Sequence, residues 1–280
     1  MPVSEALVST EWLAGHLGSP DVRVVDATWY LPNQGRDAKA EHAAAHIPGA
    51  VYFDIDDIAD DGSSLPHMLP SPAKFSSRVR KLGLGDGVRI VVYDANRFMA
   101  SARVWWMFRL FGHGDVTVLD GGLGKWRAED RPVDDRPVRP VERHFTARLN
   151  NMLVRDLDQM RANLARRMEQ VVDVRSAGRF NATDPEPRPG LRAGHIPGSV
   201  NLPFSDLVAA DATLNPRDVL QERVAQAGID LERPIVTSCG SGVSAAVLSL
   251  ALFTLGHPGA AVYDGSWSEW GSRTDTPIDR

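Results

Sequence analysis

The segment Ile235-Val236-Thr237-Ser238-Cys239-Gly240-Ser241-Gly242-Val243-Ser244-Ala245, continued by an apolar run to Leu255, decides how the rest of the chain is read. Pro234 before it and Gly256-His257-Pro258-Gly259 after it bound a short buried strand, a tight loop and a helix. The only cysteine of the chain opens the loop, and two glycines follow it closely, so the backbone is free to curl around the sulfur. Successive loop N–H groups, and those of the first helical turn, are expected to point at Cys239. Such a cradle stabilises an anion and favours thiolate over thiol, which makes Cys239 the candidate nucleophile. A buried structural cysteine is the competing reading. A cysteine at a strand-to-helix turn beside Gly-Ser-Gly favours the nucleophile.

Composition bounds the rest. A chain of 280 residues suggests two domains of ordinary size or one large one. With 43% hydrophobic and 24% charged residues it has the make-up of a soluble protein with a sizeable core. The net charge of -5, without a long single-sign run, argues against bulk binding to nucleic acid or a membrane surface. A single cysteine excludes an internal disulfide, and a metal site would have to use histidines or carboxylates; none is expected. Neither a Walker phosphate loop, a dinucleotide Gly-x-Gly-x-x-G nor a Gly-x-Ser-x-Gly elbow occurs, so no cofactor is expected and a serine hydrolase is excluded at motif level. Met1-Pro2-Val3-Ser4-Glu5 does not read as a secretion signal, no apolar run reaches about 18 residues, and a reducing cytoplasm is the expected location.

Working outward, the landmarks of the second half recur in the first. Val171-Val172-Asp173 matches Val24-Val25-Asp26, and His195-Ile196-Pro197-Gly198 matches His46-Ile47-Pro48-Gly49. Ile235 to Cys239 matches Ile90 to Asp94, while Asp264-Gly265 and Trp270 match Asp120-Gly121 and Trp126. The spacings agree: Asp to His is 20 residues (26 to 46) against 22 (173 to 195), and loop to Asp-Gly is 26 (94 to 120) against 25 (239 to 264). Shared order and spacing indicate two copies of one domain, 1–136 and 151–280, with a proline-containing linker over 137–150. In each copy short β-rich runs alternate with helices, which implies an α/β fold with a mainly parallel sheet covered by helices on both faces. Ligands of such sheets bind beyond the carboxyl ends of the strands, where Cys239 sits. Its counterpart, Asp94, offers no sulfur, so the second copy is expected to catalyse and the first to support it. His46 and His195 occur in both copies and are read as structural for that reason.

These landmarks resemble tandem rhodanese domains, and the likeness runs from Leu7 to about Pro277. It includes Trp29-Tyr30-Leu31-Pro32, His67-Met68-Leu69-Pro70, Gly178-Arg179-Phe180, Pro185-Glu186-Pro187-Arg188 and Tyr263-Asp264-Gly265-Ser266-Trp267. The loop Cys239-Gly240-Ser241-Gly242-Val243-Ser244 is similar to that of the mercaptopyruvate-using branch of the family, with Ser244 where threonine is usual. Thiosulfate-using members carry basic residues where Gly240 and Ser241 stand. The resemblance implies sulfur transfer from 3-mercaptopyruvate through a Cys239 persulfide to a thiol acceptor such as thioredoxin, or to cyanide. It implies that Arg179 and Arg188 bind the donor's carboxylate and carbonyl, that Gly240, Gly242, Val243 and Ser244 line the loop, and that Ser241, His67 and Asp56 relay a proton. Two fused domains make a monomer sufficient. Thiosulfate on the same site is the alternative donor. A cysteine phosphatase would need arginine six positions after the nucleophile, where Ala245 stands, and a silent binding module would have no use for Cys239 with both arginines.

Overall fold

The computed structural model describes residues 5–280, and their contacts divide the chain into two compact units. The first comprises residues up to Asp61, Leu69–Asn150 and Ala209–Leu214; the second comprises Gly62–Met68, Asn151–Val208 and Asn215–Arg280.

The first unit contains β1 (Leu7–Val8), α1 (Thr10–His16), β2 (Val22–Asp26), α2 (Ala38–Ala44), β3 (Val51–Tyr52), α3 (Pro72–Lys81), β4 (Arg89–Tyr93), α4 (Ser101–Leu110), β5 (Val116–Leu119) and α5 (Gly122–Ala128). The second contains β6 (Val154–Arg155), α6 (Leu157–Arg166), β7 (Gln170–Asp173), α7 (Ala177–Phe180), β8 (Val200–Asn201), α8 (Arg217–Gln226), β9 (Ile235–Ser238), α9 (Ala245–Thr254), β10 (Ala261–Tyr263) and α10 (Ser266–Trp270). Each unit builds one five-stranded sheet, in the orders β1-β5-β4-β2-β3 and β6-β10-β9-β7-β8. Every pairing is parallel, which requires crossovers between neighbours and leaves the sheets flanked by helices. Both faces of the central strands are covered: all four residues of β9 are buried, Thr237 and Ser238 included, as are Ile90 to Tyr93 of β4.

The registers coincide as well. Asp26 closes β2 opposite Tyr93, and Asp173 closes β7 opposite Ser238. Val24, Ile47 and Trp126 share one core, and Val171, Ile196 and Trp270 share the other. Trp126 Nε1–H donates to the Pro132 carbonyl at 2.8 Å, and Trp270 Nε1–H donates to that of Pro277 at 2.8 Å. His46 pairs its backbone with Asp134, and His195 with Asp279. Their Nδ1 atoms lie 2.8 Å from the His42 carbonyl and 2.9 Å from that of Phe180. Each histidine thus pins a chain crossing at the edge of its own core.

The segment 137–150 is irregular but lies along the first unit. Phe145 is buried against Phe75 and Phe108, the His144 carbonyl accepts from Asp86 N–H at 2.9 Å, and Asn150 N–H donates to Leu110 at 2.7 Å. The prolines and charges that suggested a linker hide this one aromatic anchor. α9 is buried from Ala245 to Leu252 and apolar on every side, as expected of a helix packed all round.

Candidate active site

β9 ends at Ser238, and Cys239 is the next residue, 1% exposed. The first turn of α10 fixes its backbone. Cys239 N–H donates to Ser266 Oγ at 3.1 Å, the Cys239 carbonyl accepts Trp267 N–H at 3.0 Å, and the Gly240 carbonyl accepts both N–H (2.8 Å) and Oγ–H (2.7 Å) of Ser268. The amide of Cys239 is therefore directed at a hydroxyl and not at its own sulfur. Gly242 takes φ 76°, a left-handed conformation suited to glycine, and the chain enters α9 through Ser244, whose side chain makes no cap bond. Among the described residues, no protein acceptor takes the N–H groups of Ser241, Val243 or Ser244.

What such N–H groups are suited to hold is visible in the first unit. At the position of Cys239 stands Asp94, 2% exposed. Its Oδ1 accepts N–H of Asn96 (3.0 Å) and Phe98 (3.2 Å), and its Oδ2 accepts N–H of Ala100 (3.1 Å) and Ser101 (2.8 Å). Burial pushes this carboxyl above its ordinary range while the N–H groups pull it down. The loop after the fourth strand of the repeat thus presents four amides to a buried carboxylate in the first copy, and in the second copy a buried thiol stands at the same position.

Arg179 lies on α7, and its guanidinium is held by the carboxylate of Glu186, with Nη2 at 2.6 Å and Nε at 3.2 Å from Oε2. Oε1 of the same carboxylate takes Arg175 Nη1 at 2.6 Å. Arg175 is fully buried, bonds Asp173 through Nε and Nη2, donates to the Gly194 carbonyl at 2.8 Å, and lies 4.4 Å from the Trp267 ring centroid. Burial acts to lower the Arg175 pKa, but its two carboxylates overcome this and hold it above the ordinary arginine value. A chain Asp173–Arg175–Glu186–Arg179 therefore runs from the end of β7 to the loop. It ends against Gly240, where a Cβ would lie 3.0 Å from Arg179 Nη2. Glycine at this position leaves room for the guanidinium.

Arg188 Nη2 lies 3.3 Å from His67 Nε2; as arginine can only donate, the histidine nitrogen accepts. His67 belongs to the second unit and has φ 60°. Ser241 is buried in the loop, and among the described residues no hydrogen bond joins it to His67. Asp56 belongs to the first unit, where its Oδ2 accepts Trp29 Nε1–H at 2.8 Å. Trp105 and Trp106 are both fully buried. Reasoning from sequence missed Ser266, Ser268, Arg175 and Glu186. Glu186 sits inside a quoted motif without an assigned role, and Ser266 stands where the first copy has Gly122, a mismatch at an otherwise repeated position.

The rhodanese-like domain model matches residues 9–129 and again residues 156–273. The chain belongs to the rhodanese-like family. It is 41% identical over 273 residues to the 3-mercaptopyruvate sulfurtransferase of Escherichia coli K12, covering 97% of each chain. It is also 44% identical over 273 residues to the mouse thiosulfate sulfurtransferase, covering 95% of this chain and 91% of the relative. The crystal structure of SseA from Escherichia coli superposes with a TM-score of 0.87 and 38% identity, over 94% of this chain and 99% of that one. As a tandem rhodanese-like protein the chain carries its cysteine in the second domain alone.

Proposed function

We propose that this chain is a sulfurtransferase that takes sulfane sulfur from 3-mercaptopyruvate onto Cys239 and hands it to a thiol. Near-full-length likeness to sulfurtransferases supports the class, and the observation that carries the site is the lone thiol at the end of β9, followed by loop amides with no protein acceptor. The Cys239 thiolate attacks the thiol sulfur of the donor. A bond forms between the two sulfurs, the donor's C–S bond breaks, and its electron pair enters the enolate of pyruvate. The enolate takes a proton, for which Ser241, His67 and Asp56 are the proposed relay, and the persulfide loses its own. The loop amides then stabilise the terminal sulfur anion. In the second half-reaction an acceptor thiolate attacks that sulfur and Cys239 returns as thiolate.

Arg179 and Arg188 are the proposed partners of the donor's carboxylate and carbonyl. A reducing cytoplasm, a monomer and a thioredoxin-like dithiol acceptor complete the proposal; an unpaired cysteine suits such a compartment. Thiosulfate is a second donor candidate, because the chain also resembles the mouse thiosulfate sulfurtransferase.

Intact-mass measurement after exposure to 3-mercaptopyruvate tests the reading. One adduct of about 32 Da, removed by dithiothreitol and missing from Cys239→Ser, is expected. No adduct with either donor would reject sulfur transfer through Cys239.

A further inference from the structure

We infer that Glu186 is a specificity-determining residue: its buried carboxylate, shared between Arg175 and Arg179, discriminates against doubly charged sulfur donors at the Cys239 loop. The inference rests on the donor reading above. Glu186 occupies the Nε/Nη2 edge of Arg179, so the side-on fork that would clasp a carboxylate is already taken. What remains is the end-on pair. Nη2 and Nη1 lie 3.0 and 3.9 Å from the place a Gly240 Cβ would occupy, so this edge is the one turned to the loop. A donor over Cys239 and Gly240 therefore meets Arg179 with a fixed negative charge one guanidinium behind it.

Charge counting gives the consequence. Asp173, Arg175, Glu186 and Arg179 sum to zero, and the side chain of Glu186 is 4% exposed, so water screens this carboxylate poorly. Near neutral pH 3-mercaptopyruvate carries one negative charge and thiosulfate two. Each meets the attraction of Arg179 and the opposing field of Glu186, and the dianion feels the latter twice as strongly. Neutralising Glu186 should then help both donors electrostatically, but thiosulfate more. The alternative is that Glu186 only buttresses Arg179, in which case its loss harms both donors alike.

The test is the ratio of kcat/KM for thiosulfate to kcat/KM for 3-mercaptopyruvate, with a common acceptor. Both donors meet the same active molecules, so the ratio does not depend on how much of a variant is folded. In Glu186→Gln the ratio is expected to rise about three- to tenfold. Glu186→Asp keeps the charge and shortens the reach; it should lose activity with both donors and leave the ratio near that of the parent. An unchanged or lower ratio in Glu186→Gln, or an equal shift in Glu186→Asp, overturns the inference. A parent protein that forms no persulfide with either donor would instead reject the donor reading on which it rests.

Discussion

At φ 48° Ser266 holds a left-handed backbone conformation that costs a residue with a Cβ about 1 kcal/mol or more, and its counterpart in the first copy is Gly122, at φ 55°. A side chain is worth keeping at such a place only if it bonds well, and this one does. Its Oγ accepts Cys239 N–H and donates to the Tyr263 carbonyl at 2.8 Å, with the residue fully buried. Two effects then oppose each other on substitution. Ser266→Ala keeps the strain and leaves the buried amide of Cys239 without an acceptor, an expected loss of about 2–3 kcal/mol. Ser266→Gly leaves the same amide but relieves the strain, so its loss should be about 1 kcal/mol smaller. Urea unfolding of the two variants checks the order, which is the reverse of the usual preference for alanine over glycine; a less stable Ser266→Gly would show that no strain is stored there. Both should also slow alkylation of Cys239 by iodoacetamide relative to the parent, because the peptide that carries the thiol is no longer fixed. The sequence showed a serine in a repeated motif but not its bond, since the partner is a backbone amide 27 positions away.

Between residues and domains lies the strand–loop–helix element, present twice and filled differently. In the first copy Asp94 gathers four N–H groups and so caps the way into α4, which is buried along nearly its whole length. Asp94→Asn retains one acceptor oxygen but turns an amide donor toward two of those N–H groups. A loss of about 2–4 kcal/mol is expected, measurable by chemical denaturation, with faster hydrogen exchange at Ala100 and Ser101 as the local sign. Stability within about 0.5 kcal/mol of the parent would mean that the carboxylate is not what holds the loop. At this scale most of the fold was legible. The apolar strands and α4 follow directly from hydrophobic runs bounded by Gly, Pro and Asp, and the repeat exposed their correspondence. α3 starts at Pro72, one residue after Ser71, whose side chain accepts Lys74 N–H and caps the helix. β3 and β8 are two residues each and exist through pairing with β2 and β7, which no local pattern encodes. Residue type pointed to Cys239, and the family resemblance to Arg179 and Arg188, as candidates for the site. The site was illegible where it depends on geometry: the Glu186 carboxylate between two guanidinium groups needs positions 175, 179 and 186 brought together by a turn.

For the whole molecule the question is what separates the copy that carries the cysteine from the copy that does not. Replacement of a single residue does not account for it. Where the second copy has Arg175, bridging the end of β7 to Glu186, the first has Thr28, whose N–H and Oγ–H both go to Asp26. Where the second copy has Ser266, the first has Gly122, and a side chain built there would run into the Asp94 carbonyl oxygen. The loop after Asp94 differs too, with Arg97 and Phe98 at φ 65° and 66° in place of the single left-handed glycine after Cys239. The two copies share strand order, registers and core, so the scaffold does not make the difference; the groups set around the loop do. Placing a thiol in the first loop should therefore be insufficient. In the Cys239→Ser background, Asp94→Cys is expected to take up no sulfur from 3-mercaptopyruvate by intact mass and to turn over no faster than Cys239→Ser alone. The added thiol should nevertheless react with iodoacetamide in denaturant, which shows that it is present. A persulfide on that introduced thiol would mean that the strand–loop–helix geometry alone activates a cysteine, and that Arg175, Glu186 and Ser266 are not needed to make a sulfur acceptor of this fold.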